Sequence, residues 1–407
     1  MDYVVTGIGI INGLGSSAEE SWTNLLAGTS AVKTIRWPDD NPSRFPNSCN
    51  KILKIQIGAL NPYISEDHQH PENFDYGWDN WDTNTRACLL TVDEAIKDSN
   101  LTSTNVGVVF STFGSGTRIR LELFAAMNNG NSKFSPRKIL NTGLDFPAAQ
   151  IAAIYRITGP NTSMDSACTT GITSIDYAIN TLKANPDLDA MIVGGADHMA
   201  EPIYMYWFQN LGALSGTGSR PFDKSRNGFV MGEGAATMII ESKEKALARG
   251  AKIYGIIKSC SFVTLFDSDT SPDPEGHGAK RCVQQALDRA GITADQIGYV
   301  NAHATSTLVG DQIEYDAMLE LTPGRVMVSN KGQIGHCMSA AGIVEGIYTL
   351  LALRDQRTPG NVNLVDPCGQ GMILPTTAID IDARYAIKNS FGFGGRNASI
   401  VLERYVG

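Results

Sequence analysis

Short apolar runs alternate with stretches of helical period along most of the chain. Tyr3–Val5, Val106–Phe110, Met191–Val193 and Ile297–Asn301 are rich in Val, Ile and aromatic residues, the pattern of strands buried on both faces. Ile172, Ile175, Ile179 and Leu182 recur at spacings of three and four, so they share one face of a helix. Strands alternating with helices predict a layered α/β architecture rather than an all-α or all-β one. The segment from Glu241 to Lys252 is charged and contains alanine; Gly250 supplies a helix stop, and a new strand pattern begins at Ile253. The chain is therefore divided into residues 1–250 and 251–407. Each half ends in a glycine-rich strand–turn unit, which is compatible with a duplicated topology although no repeat is detectable in the sequence itself.

The size of the chain, 407 residues, also favours two core-forming halves over one large core. With 42% hydrophobic and 18% charged residues the composition is that of an ordinary globular protein. The net charge of −9, from 33 Lys and Arg against 42 acids, excludes nucleic-acid binding through overall charge. No apolar run is long enough to span a bilayer. The start, Met1 to Gly7, lacks the basic and apolar regions of a secretory signal and reads as a first strand leading into a glycine turn. The seven cysteines are odd in number and form no Cys-x-x-Cys pair, which argues against a disulfide framework and a structural zinc site. A reducing cytoplasm is the expected location. One stretch stands apart: Glu66 to Asp82 holds six acids and no Lys or Arg, and reads as a solvated insertion or, in the sharper reading, a partner-docking surface.

Gly7-Ile-Gly9-Ile-Ile-Asn12 nearly spells a dinucleotide fingerprint, but the third glycine is Asn12 and no acid follows at the expected distance. A structural turn is the expectation there. Asn161 to Gly171 is a different case: a short strand runs into Cys168 and the amphipathic helix begins directly after it. A cysteine at such an elbow sits at the positive end of a helix dipole, where thiolate is favoured and free N–H groups can hold an oxyanion. The alternative for this segment alone is a buried structural cysteine. Two of the six histidines, His303 and His336, lie in small-residue segments after strand patterns. A lone histidine is more often a satisfied polar group, but two on loops beside an activated cysteine fit covalent acyl chemistry. Neither lies in His-Glu-x-x-His, and no metal is expected. In Asn389 to Asn397 the glycines 392, 394 and 395 permit a tight path that could aim an N–H at a carbonyl while Phe393 covers the cleft; an ordinary turn between strands is the plain reading.

Taken in order and spacing, the Cys168 elbow, Asn301-Ala-His303-Ala-Thr305-Ser-Thr307, Lys331-x-x-x-Gly335-His336 and Gly392-Phe393-Gly394-Gly395 resemble the β-ketoacyl-(acyl-carrier-protein) synthases I/II. Ser219-Arg-Pro-Phe-Asp223 and Gly228 to Gly234 extend the resemblance nearly end to end. It implies a thiolase-like α-β-α-β-α fold from two similar halves. It further implies that Cys168 takes an acyl chain from the phosphopantetheine arm of an acyl carrier protein. The thioester oxyanion would be held by the N–H groups of Cys168 and Phe393. His303 and His336 would stabilise the enolate formed when malonyl-carrier protein is decarboxylated, and the carbanion would attack the acyl-Cys168 carbonyl. Lys331 would tune His336, Thr305 and Thr307 would bind the pantetheine arm, Glu345 would support the site, and Phe393 would act as a gate. No cofactor is expected beyond the arriving phosphopantetheine.

The resemblance also implies a dimer, a homodimer or a heterodimer with a chain-length-factor-like homologue, and no nucleic-acid or membrane partner. Ala304 and Arg396 replace a usual glycine and threonine. The acidic 66–82 stretch cannot offer the basic carrier-docking residues of fatty-acid enzymes; Arg118, Arg120, Arg137 and Lys138 could retain part of such a patch. The run from Cys168 to Ala178 also looks like the ketosynthase of type II polyketide systems. A polyketide or polyene role is the expectation, with fatty-acid elongation the alternative. A thiol acyltransferase or hydrolase, and a non-catalytic chain-length factor, are the more distant rivals.

Overall fold

The computed structural model describes residues 2–35, 56–59, 81–130, 133–199, 201–267 and 273–407. Its centre is a ten-stranded sheet built from β1 (Tyr3–Asn12), β2 (Val106–Ser111), β3 (Asn161–Thr162), β4 (Ala190–Asp197), β5 (Gly234–Ser242), β6 (Gly255–Thr264), β7 (Ile297–Asn301), β8 (Val326–Val328), β9 (Tyr385–Gly392) and β10 (Arg396–Arg404). The five helices that matter for the site are α1 (Thr83–Ser99), α2 (Thr170–Ala184), α3 (His277–Ala290), α4 (Leu308–Leu321) and α5 (Ala341–Asp355).

The spatial order is β8-β7-β9-β10-β6-β1-β5-β4-β2-β3. Numbered within each half, the first five strands run 3-2-4-5-1 from the outer edge inward, and so do the second five. The directions repeat too. β2 is parallel to β3 and β4, as β7 is to β8 and β9; β5 is antiparallel to β4 and β1, as β10 is to β9 and β6. The halves meet where β1 pairs with β6 at Tyr3–Val5. One topology is thus used twice, and the fold is the layered α-β-α-β-α arrangement of the thiolase-like enzymes.

Burial explains the layers. Ile172, Ile175, Ile179 and Leu182 of α2 and nearly all of α5 pack into one central core with inward residues of both half-sheets. An outer core joins α1 to the first half-sheet, and another joins α3 and α4 to the second. Gly7 and Gly9 lie inside β1, not in a turn: a Cβ at either would stand 2.2 Å from a backbone oxygen of α1, Ala95 O or Thr91 O. Those glycines allow close helix–sheet packing. The helix Lys243–Ala248 ends ahead of Gly250, which has φ +68°, and β6 starts at Gly255 rather than Ile253.

Of the acidic stretch, 66–80 lies outside the described residues. Its last residue, Asp82, is buried and caps α1 through Thr85 N–H at 2.9 Å, while its other oxygen takes Ser115 Oγ–H at 3.1 Å.

Candidate active site

The strand before Cys168 stops six residues early, at Thr162, and the chain reaches the cysteine through an irregular segment. Ala167 has φ +54°, a left-handed conformation that costs a non-glycine residue energy and turns Cys168 sharply into α2. Hydrogen bonds hold the elbow: Thr170 Oγ1 accepts the Ser166 N–H at 2.8 Å, and Thr169 Oγ1 donates to Ser166 O at 2.7 Å. Gly392, at the end of β9, packs on the other side; a Cβ there would lie 3.3 Å from Cys168 N. The tight glycine path therefore serves close approach to the cysteine backbone, with the Phe393 amide next in line.

His336 follows the short helical turn Lys331–Ile334, and its Nε2 lies 3.1 Å from Cys168 Sγ. Met338 N–H donates to His336 Nδ1 at 3.3 Å. An Nδ1 that accepts leaves the proton on Nε2, the atom facing the sulfur. His303 follows β7, its ring 5.4 Å from the His336 ring at 83°. Phe391 stacks edge-on against His303 and Phe229 against His336, at 6.0 and 5.6 Å. Burial pushes both histidines well below the ordinary imidazole value, and the ammoniums of Lys331 and Lys388 push them further. Both are neutral at physiological pH.

Burial also pushes the Cys168 thiol up to about 12, against a downward pull from Lys331. Enclosure of the site thus works against the thiolate that the helix terminus favours. The ligand atoms of Cys168, His303 and His336 all lie within 4.8 Å of one another. That spacing would suit a metal ion, but the two ammoniums that depress the histidines also oppose a further cation there.

Behind the histidines Glu345 of α5 pairs with Lys331 through one oxygen and with Lys388 of β9, at 2.7 Å, through the other. All three side chains are at most 1% exposed. Glu314 of α4 accepts the backbone N–H groups of His303 at 2.9 Å and Ala304 at 2.7 Å, fixing the loop after β7. Sequence reasoning missed Lys388 and Glu314. A lysine interrupting the apolar run Tyr385-Ala-Ile387 was the available signal for the first, since a charge inside a buried strand must be paired. For the second, the signal was a pair of acids, Asp311 and Glu314, three apart on one helix face.

An apolar cavity of about 270 Å³ opens above the cysteine, with Phe208, Phe229 and Met338 among its walls. Thr305 and Thr307 line it, their hydroxyls 3.2 Å apart, and Phe393 stands at the mouth, 37% exposed. Ala304 and Arg396 line it as well. Cys168, His303, His336, Thr305, Thr307 and Phe393 are thus brought to one cavity, while Lys331 and Glu345 lie in the layer behind it. Of the basic residues considered for docking, Arg120 is occupied by Ser115 O and Thr142 O, and Arg118 lies 3.4 Å from Glu122. Lys138 is exposed; the Arg137 side chain lies outside the described residues.

Comparison with known proteins agrees with this geometry. The beta-ketoacyl synthase N-terminal domain family matches residues 2–246, and its C-terminal domain family matches residues 254–365. The 3-oxoacyl-[acyl-carrier-protein] synthase 2 of Vibrio harveyi is 35% identical over 98% of both chains, and that of Rhizobium meliloti 34% over 99% of both. Among solved structures, the ishigamide ketosynthase/chain length factor superposes with a TM-score of 0.86 at 25% identity, covering 100% of this chain and 99% of that one. A beta-ketoacyl synthase from Burkholderia phymatum does so with 0.86 at 26%, covering 100% of both. This chain belongs to the β-ketoacyl synthase family of acyl-transferring condensing enzymes.

Proposed function

We propose that the chain catalyses decarboxylative condensation of malonyl-carrier protein with an acyl chain held as a thioester on Cys168. The carrying observation is the 3.1 Å contact between Cys168 Sγ and His336 Nε2, with His303 beside it, at the base of an apolar cavity. In the first step Sγ attacks the carbonyl of an acyl-pantetheine thioester. The new C–S bond replaces the old one, and the thiol proton leaves on the pantetheine sulfur. The N–H groups of Cys168 and Phe393 stabilise the oxyanion. Phosphopantetheine comes and goes with the carrier, past Thr305 and Thr307, and no resident cofactor takes part.

Malonyl-pantetheine then occupies the cavity. Its bond to the terminal carboxylate breaks, CO₂ departs, and the electron pair moves to the thioester oxygen, where Nε2–H of His336 and His303 donate. Neutral imidazoles suit this role because they offer a proton without a buried positive charge. The carbanion attacks the acyl carbonyl, the tetrahedral oxyanion collapses, and Cys168 leaves as thiolate. The product is two carbons longer. Lys331 tunes His336 and Glu345 supports the site from behind, and Phe393 gates entry. Two histidines with a lysine pair exceed what thiol hydrolysis requires.

In this reading the chain divides near Gly250 into halves that carry Cys168 and the two histidines respectively. It acts as a dimer, with itself or with a chain-length-factor-like homologue. Exposed Phe124, Met127, Ile139 and Leu140, 56–67% accessible, support a protein partner on that side. The pathway we propose is type II polyketide or polyene assembly, supported by the run from Cys168 to Ala178 and by the likeness to a solved ketosynthase/chain length factor; elongation of ordinary saturated chains by a self-sufficient homodimer would instead assign fatty-acid synthesis. Intact-mass analysis with acyl- and malonyl-loaded carrier proteins tests the chemistry. Wild type should gain the acyl mass on Cys168 and lose it to malonyl-carrier as ketoacyl product. Release of free acid, or condensation by Cys168→Ala, would refute it.

A further inference from the structure

Lys388 is a buried charge that the reaction as written does not touch. Its ammonium lies 2.7 Å from Glu345 Oε2 and donates to the carbonyl of Asn389. The amide of Asn389 donates to Glu314 Oε1 at 3.2 Å. Lys331, Glu345, Lys388 and Glu314, each at most 1% exposed, therefore alternate in sign from behind His336 to the backbone of His303. Glu314 is the terminus that matters, because its two oxygens accept from two different N–H groups, His303 on one and Ala304 on the other. An ionised carboxylate accepts strongly at both oxygens; protonation weakens one of them as an acceptor and adds an O–H donor beside an N–H.

Resting on the condensation reading, we infer that Lys388 is a positioning residue for His303: its ammonium keeps Glu314 ionised, and ionised Glu314 holds the His303–Ala304 backbone in place. Burial pushes the Glu314 carboxyl up; the two backbone N–H groups pull it back, and Lys388 adds to that pull. The other charged groups around it do not replace Lys388. Asp311, one turn earlier on α4, is of the wrong sign and is turned toward Arg226, 4.0 Å away, and the Phe222 and Ser306 N–H groups. His303 is neutral. Lys331 is committed to Glu345 on the far side of Lys388.

The test uses the full chain with malonyl-loaded carrier protein, following decarboxylation by intact mass from pH 6 to 9. Lys388→Met should slow decarboxylation about 10- to 100-fold at the acid end, the effect of one charge-assisted hydrogen bond. The deficit relative to wild type should shrink as pH rises, both because Glu314 ionises unaided and because Lys388, pulled down to about 8 by burial, gives up its own charge toward pH 9. Acylation of Cys168, which does not use His303, should stay near the wild-type rate. Glu314→Gln should show a loss of similar size with no recovery at high pH, and the double variant should be no worse than either single one. A Lys388→Met deficit equal at every pH, additive losses, or wild-type decarboxylation in Glu314→Gln would overturn the inference. Glu314→Gln, nearly isosteric, decides the matter if Lys388→Met does not fold. A wild-type protein that accepts acyl groups but never decarboxylates malonyl-carrier refutes the condensation reading itself.

Discussion

Gly171→Ala gives a direct test of how the central helices set the site. Gly171 of α2 and Gly342 of α5 cross with no side chain between them. A Cβ at 171 would stand 2.7 Å from Gly342 Cα and 2.7 Å from Ile343 N, both backbone atoms that cannot rotate away. Ordinary contact begins at 3.4 Å, so the helices must part by 3.4 − 2.7 = 0.7 Å. Overpacking of this kind costs about 1–3 kcal/mol. Alanine returns at most about 1 kcal/mol of helix propensity. The net loss is expected near 1–2 kcal/mol, read as a lower urea midpoint at unchanged slope. The functional cost should be larger than the structural one. Cys168 is carried just before α2 and His336 just before α5, so parting the helices stretches the 3.1 Å Sγ···Nε2 contact toward 3.8 Å. Misplacements near 1 Å cost on the order of 100-fold in rate. Condensation should fall by more than tenfold while the protein remains folded at 25 °C. A Gly171→Ala variant with wild-type midpoint and wild-type condensation would refute the claim that this crossing fixes the cysteine–histidine distance.

Further outcomes follow from the buried charges. His336→Ala should reduce decarboxylation of malonyl-carrier by about 100- to 1000-fold, the usual cost of one oxyanion donor, yet still permit acylation of Cys168 by intact mass. Because both histidines are depressed, the condensation rate of wild type should show no limb near pH 6.5; an ascending limb there would mean that an imidazolium must be discharged. Their folded values lie below the unfolded one, so the unfolded chain binds more protons below pH 6.5, and stability should fall on acidification through that range. Glu345→Gln strands two buried ammoniums and should cost about 3–5 kcal/mol in urea denaturation at pH 7. Lys388 already sits at about 8 and would fall further without Glu345, so the unfolded chain holds the extra proton from there up to the normal lysine value. Stability of Glu345→Gln should therefore recover as pH rises; a constant deficit from pH 7 to 10 would contradict the assignment.

What the sequence disclosed and what it hid have physical reasons. The strands at 106, 191 and 297 and the helix face of Ile172 to Leu182 were legible because burial on a layer imposes a period. Cys168, His303 and His336 were legible because nucleophilic chemistry needs rare residue types on small-residue loops. The glycines of β1 were misread because a glycine marks close approach as well as a turn, and the α1 oxygens they make room for lie more than eighty residues away. The burial that works against a thiolate at Cys168 was hidden because only the folded site shows how far the thiol is enclosed. Lys388 and Glu314 were missed because their partners come from different elements, which no spacing rule connects.

The duplicated topology explains why Cys168 sits where it does. Each half sends a central helix, α2 or α5, toward the same crossing, and the two crossing glycines are equivalent. Counting back three residues from each reaches Cys168 in one half and Ser339 in the other. Both positions face the positive end of a helix. At Ser339 that end is closed: Asp197, from the end of β4, takes the Ser339 N–H at 2.8 Å and its hydroxyl on the same oxygen. Its other oxygen gathers the Phe113 and Gly114 N–H groups. At Cys168 no side chain caps the helix, and Gly392 leaves the approach to its N–H clear. A fold with two equivalent anion-attracting termini has thus filled one with a carboxylate and left the other open, where the proposed oxyanion would form. The filled terminus anchors the segment that carries His336 and Met338; the open one carries Cys168. In the proposed reaction, acyl anchoring and enolate stabilisation would then be separated on a single structural position used twice, occupied by Asp197 in one half and open in the other.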